Sequence, residues 1–222
     1  MLIRYSTYTI VVMRNTMAII GGILAIVSVI PYMIDIVKRR TKPNIVSWFT
    51  WTLLTGIAML ATFAAGEINT GLLMAGSTIC TTMVVILGIK YGIAKFSWFD
   101  GFCQIGAIVG LILWLVFDSP TVAIIASVTI DCIAMLPTLR HSWVKPGEET
   151  WQTFIVGVIA PVFTIASLQT FTLDALLYPL YLVMANALIA LTVIIRRKQQ
   201  GGLVCLGIAY MQPSTNKSLF SV

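Results

Sequence analysis

Seven stretches of this chain, at 17–37, 45–66, 71–89, 98–117, 120–139, 150–168 and 175–195, run for about twenty residues with almost no charge, roughly the length a helix needs to cross about 30 Å of hydrocarbon. Nothing else in the sequence restricts the fold so strongly. In hydrocarbon every backbone amide must be bonded within the structure, so only helices and closed barrels are available. Barrel strands alternate apolar and polar residues over about ten positions, and these runs do not alternate, which leaves helices. Composition agrees: 59% of residues are hydrophobic and 10% charged, against roughly a quarter charged in soluble chains. The expected fold class is an all-α membrane protein with seven transmembrane helices.

A net charge of +6 would point a soluble protein toward an acidic partner such as nucleic acid. Here position explains it better, and no nucleic acid is expected. Lys38, Arg39, Arg40 and Lys42 follow the first run, Lys90 and Lys95 the third, Arg140 and Lys145 the fifth, and Arg196, Arg197 and Lys198 the seventh. In a seven-span chain all of these share one side. Glu67, Asp118 and Asp174 fall on the other, with Arg4 and Arg14 of the N-terminal stretch. The positive-inside bias then places the N-terminus outside and the C-terminus in the cytoplasm, with the lipid bilayer as the first partner.

The chain says one polar phrase twice: TKPNIVSWFTW from Thr41 and VKPGEETWQTF from Val144. Aligning the copies lays runs one to three over runs five to seven and leaves the fourth, SWFDGFCQIGAIVGLILWLVF, unpaired. A single spanning linker gives both triplets the same orientation, so the expectation is 3+1+3, two parallel triple-helix repeats around an axis along the membrane normal. The division is an N-terminal extension at 1–16, a first repeat at 17–97, a linker helix at 98–119, a second repeat at 120–198 and a flexible Gly-, Ser- and Gln-containing tail at 199–222. Each phrase reads locally as a re-entry signal. Lys-Pro stops the preceding turn, Asn44 caps the next helix, and Glu148 and Glu149 put negative charge at a helix start. Trp48 and Trp151 are expected at the interface as aromatic anchors. Each triplet also carries a proline toward the basic end of its first helix, Pro31 and Pro137, whose paired placement suits hinges.

Pro31 and Pro137, each followed by a basic turn and by TKPNIVSW or VKPGEETW, make the chain resemble the PQ-loop repeat of the SWEET and SemiSWEET transporter superfamily over roughly residues 17–198. The position after each proline, glutamine in that family, is Tyr32 and Thr138 here, and Ala58 stands where the second half has Pro161. The resemblance implies three-helix halves, an outward N-terminus and alternating access. Its solutes are sugars or amino acids, and some kindred members act as cargo receptors. The repeats read most like those of bacterial members, which implies the inner (plasma) membrane.

Asp131 is the residue most open to chemistry. It lies about eleven residues into the fifth run, some 16 Å deep at about 1.5 Å per residue, where an acid is costly and is expected to face the interior as a substrate-binding or proton-responsive group. Asn186, Thr78, Thr81 and Thr82 fall at similar depth, and Trp51 is a candidate pocket wall. An asparagine in the last helix of each half contacts substrate in the resembled family; Asn186 matches that position. Asp131 as interhelical packing glue is the competing reading. Asp35 and His141, each four residues after its proline, are candidates for a gate, or else Asp35 pairs with Lys38 or Arg39 and His141 is solvated. Gly106 and Gly110 form a small-residue face suited to packing within the bundle or in a homo-oligomer.

No phosphate-binding loop, H-E-x-x-H or G-x-S-x-G motif occurs, the last run lacks a lysine for a Schiff base, and the cysteines form no C-x-x-C. No catalytic residue, metal or cofactor is expected, and an enzyme is not. The expected function is transport or facilitated passage of a small polar solute, sugar-like or amino-acid-like, with proton coupling open. A non-transporting membrane receptor or assembly protein built on the same bundle is the alternative.

Overall fold

The computed structural model describes residues 2–64, 68–116, 120–168 and 170–210, and among them every regular element is helical. The helices are α1 (Leu2–Val37), α2 (Ile45–Ala64), α3 (Ile68–Tyr91), α4 (Trp98–Val116), α5 (Pro120–Val144), α6 (Trp151–Ser167) and α7 (Leu173–Tyr210), with one 3-10 turn at Pro146–Glu148. Each apolar run has become one helix. Four stretches, Thr9–Val37, Leu72–Tyr91, Ile124–Val144 and Ala175–Gln200, are long and apolar enough to cross a membrane; those of α2, α4 and α6 are shorter. The first sixteen positions are helical from Leu2 onward as part of α1, and α7 continues past residue 199 to Tyr210. Glu67, Asp118 and the rest of the tail lie outside the described residues.

The helices are amphipathic in the reverse of the soluble sense. On α1, Ile19, Ile23, Val27, Ile30 and Ile34 form one exposed stripe, and on α7 Leu180, Met184, Leu188, Leu191 and Ile195 form another. Steps of three and four residues keep each stripe on one face. In water such faces would far exceed the few hundred Å² of apolar patch a monomer usually shows; against lipid they need no cover. The interior is where polar side chains collect, among them Ser28, Thr81, Asp131, Thr138 and Ser142.

Local chemistry fixes the helix ends at the basic loops. Arg39 takes the left-handed conformation (φ 56), while Arg40 N–H bonds to the Asp35 carbonyl at 2.9 Å and Arg39 N–H to that of Ile36 at 2.8 Å, a Schellman stop for α1. Asn44 Oδ1 accepts from the Val46 and Ser47 amides at 3.1 and 3.4 Å, capping α2 as its sequence position predicts. Gly92, with φ 138, ends α3. Asp100 Oδ2 accepts from the Ser97 amide at 2.7 Å and opens α4.

In the packing, α3 lies against both α1 and α2, and α7 against both α5 and α6. Across the two triplets, α1 packs on α6 and α2 on α5, while α4 rests on α5 and α2. The buried apolar core lies toward the basic end and joins Val29, Tyr32 and Ile36 of α1 to Trp48, Phe154, Ile189 and Val193. Trp48 is thus no interface anchor. At 3% exposed it is a core residue, because its helix turns that face toward α1 and leaves Phe49 outward at 45%.

Candidate functional site

Asp131 is 5% exposed, and donors from both triplets hold its two oxygens. Trp51 Nε1 of α2 donates to Oδ1 at 2.6 Å, and the Tyr178 hydroxyl of α7 donates to Oδ2 at 3.0 Å. Trp51 reaches it from near the start of α2, on the basic side. Tyr178 comes from near the start of α7, at the opposite end, since Arg197 toward the far end of that helix bonds back to the Pro146 carbonyl at 2.8 Å. The carboxyl is therefore held from both directions along the bundle. Tyr181 packs beside Tyr178, ring centroids 6.2 Å apart, and its buried hydroxyl has no hydrogen-bond partner.

The other expected members of a central pocket are engaged elsewhere. Thr78 donates to the Met74 carbonyl at 2.9 Å, Thr81 to those of Ser77 and Thr78, both at 3.1 Å, and Thr82 to that of Thr78 at 2.6 Å. Such back-bonding commits the one hydrogen of each hydroxyl within its own helix. Asn186 Nδ2 donates to the Leu182 carbonyl at 2.9 Å, and its amide oxygen lies where a side chain on Gly157 would begin. No hydrogen bond joins Asn186, Thr78 or Thr81 to Asp131. Only Trp51, of the expected companions, meets it.

From Trp51 a chain of contacts runs to the basic end. Its ring stands edge-on to Trp48 at 5.1 Å and 86°, and Trp48 Nε1 donates to the Tyr32 hydroxyl at 3.2 Å. Tyr32 in turn donates to Glu149 Oε2 at 2.9 Å. Glu149 is fully buried, and its Oε1 has no partner. Burial pushes its carboxyl up to about 8, outweighing the opposing pull of the Tyr32 hydrogen bond and the Arg197 charge. Tyr32 and Thr138, the two residues after Pro31 and Pro137, are both wholly buried.

Around this chain the two copies of the repeated phrase bind each other. Lys42 Nζ donates to Glu148 Oε1 at 2.7 Å and Lys42 N–H to the Glu148 carbonyl at 2.9 Å. The Thr41 and Thr150 hydroxyls are 2.6 Å apart, and Thr150 donates to Asp35 Oδ2 at 2.9 Å. His141 Nε2 lies 3.5 Å from Glu148 Oε2 and Lys145 Nζ 3.8 Å from Oε1. Burial pushes the Glu148 carboxyl up, but Lys42, Lys145 and His141 together hold it below its ordinary value. The proposed gate pair is thus divided: Asp35 meets Thr150 and His141 meets Glu148, with no ion pair between them or from Asp35 to Lys38 or Arg39.

Sequence reasoning missed Tyr178, Tyr181 and Glu149. Tyr32 stood out as a departure from the resembled motif but had no role. Three hydroxyl-bearing rings in apolar runs were the available signal for the tyrosines, since a buried phenol seeks a partner. Among the described residues no group of histidine, cysteine and acidic side chains could hold a metal. Comparison with protein-family models, with curated proteins and with solved structures finds no match to the chain.

Proposed function

We propose that the chain crosses a bacterial-type inner membrane seven times, N-terminus outside, as two parallel three-helix repeats joined by α4, and that it carries a small polar solute by alternating access in the manner of the PQ-loop proteins. The observation that carries this reading is the burial of Asp131 between a donor from each triplet, because an acid deep in an apolar bundle and tied to both moving parts is the kind of group on which transport turns. The packing supports the repeat. Exchanging α1, α2 and α3 for α5, α6 and α7 turns every packed pair among them into another: α1 with α3 into α5 with α7, α2 with α3 into α6 with α7, and α1 with α6 into α5 with α2. On this reading the interlocked basic loops are the closed cytoplasmic end, and Pro31 and Pro137 are the bends about which it opens.

The test is solute uptake by protein reconstituted in vesicles, at two pH values, with wild type beside Asp131→Asn. Net flux altered by the substitution supports transport. A folded variant with every tested flux unchanged would remove Asp131 from the mechanism, and saturable binding with no flux would favour the receptor reading.

A further inference from the structure

The identity of the solute is the open chemical question, and what surrounds Asp131 narrows it. Both oxygens of this carboxyl are bonded, yet neither donor carries charge, and among the described residues no lysine, arginine or histidine pairs with it. A carboxylate removed from water without a countercharge is several kcal/mol uphill, so the site lacks either a proton or a cation. The residues beside it are aromatic. Trp51 and Tyr178 touch the acid, Tyr181 packs tilted beside Tyr178 with an unpartnered buried hydroxyl, and Trp48 stands edge-on to Trp51.

Three solute classes can be compared on these facts. An anion would meet the carboxylate and no basic group. A sugar-like polyol requires an array of free donors and acceptors, whereas Thr78, Thr81, Thr82 and the Asn186 amide nitrogen are bonded within their own helices. Stacking on tryptophan would serve a sugar too, so the rings do not decide; the uncompensated charge does. An ammonium group answers both features, since it supplies the missing charge, donates hydrogen bonds to the oxygens, and is attracted by electron-rich rings.

We propose that the solute is an organic cation bearing a protonated amine, which Asp131 receives among the rings of Trp51, Tyr178 and Tyr181. The Trp51 N–H and the Tyr178 O–H then stand in for the amine while the site is empty. Arrival of the cation releases one or both. Release of Trp51 frees a ring packed on Trp48, and through it disturbs the Tyr32 and Glu149 contacts that close the basic end. This inference rests on the transport reading for its role but not for the binding itself.

The test measures binding and uptake of lysine, putrescine and methylammonium against glucose and glutamate, using the full chain in nanodiscs for tryptophan fluorescence and in vesicles for flux. At least one amine should bind about tenfold or more tightly than glucose and glutamate. Asp131→Asn should weaken it by about thirtyfold or more, with thermal unfolding confirming that the variant is folded. Tyr178→Phe supplies the complementary arm: it removes a competing internal donor and should tighten amine binding several-fold, which loss of a merely structural contact would not do. Glucose or glutamate flux without amine binding would overturn the solute class and leave transport standing. Amine binding without flux would overturn transport and leave the cation site standing. A fluorescence change with pH and none with any amine would assign the site to a proton and end the proposal.

Discussion

A carboxyl with no exposed surface and one unbonded oxygen keeps its proton, and Glu149 is such a group. Burial takes it to about 8 in the folded chain, against about 4.3 when exposed. The folded form holds a proton that the exposed form gives up. The stabilising contribution is therefore full below about 4.3, falls as pH rises through the window, and is gone above about 8. The groups facing Glu149 are Tyr32 from α1, Arg197 from α7 and the adjoining Glu148, whose carboxyl Lys42, Lys145 and His141 hold below its ordinary value. Detergent-purified protein should melt at a lower temperature at about pH 9 than at about pH 7, and Glu149→Gln, which retains an acceptor for Tyr32, should flatten the difference. An identical pH dependence in the variant would count against the assignment. At this scale Asp131 was legible, because a lone acid within an apolar run has few places to go. Glu149 was not, since one sequence presents it only as an acid at a helix start, and its burial arises from Tyr32, 117 positions away.

At the scale of elements, α6 and α7 approach closely because Gly157 gives Asn186 room. A methyl group there would strike the Asn186 amide. Gly157→Ala should destabilise the chain by about 1–3 kcal/mol, the usual range for overpacking. Asn186→Ala on the same background should recover much of the loss, and strictly additive effects in thermal unfolding would mean the two side chains do not compete. The seven helices themselves were legible from apolar length alone, and the Asn44 cap from its residue type and place before the second run. The stop of α1 was not: its left-handed residue is Arg39, and that conformation disfavours any side chain, so sequence reasoning looks for glycine there. Trp48 was misplaced for a similar reason. A tryptophan one turn inside a span suits the interface or the core equally by composition, and only the neighbouring helix decides.

For the whole molecule, the phrase occurs twice in the sequence, and nothing there told that its two copies would grip each other. Lys42 with Glu148 and Thr41 with Thr150 join residues 106 and 109 positions apart, and such pairs leave no trace in a single chain's periodicity. Taken singly these contacts are modest: Lys42 is 42% exposed, and an exposed ion pair contributes about 0–1 kcal/mol. Lys42→Ala should therefore shift thermal unfolding little, while the buried Tyr32→Ala, which empties a core site, should lower stability by about 3–5 kcal/mol. Equal shifts would mean that the end is held by its charges rather than its core. The crosswise arrangement, α1 against α6 and α2 against α5, has a further consequence. Each triplet leans on its counterpart through contacts that owe nothing to the covalent link. Two genes, one ending at Tyr91 and one beginning at Phe96, should on co-expression yield fragments that find each other in the bilayer and co-purify, as the subunits of a heterodimer do.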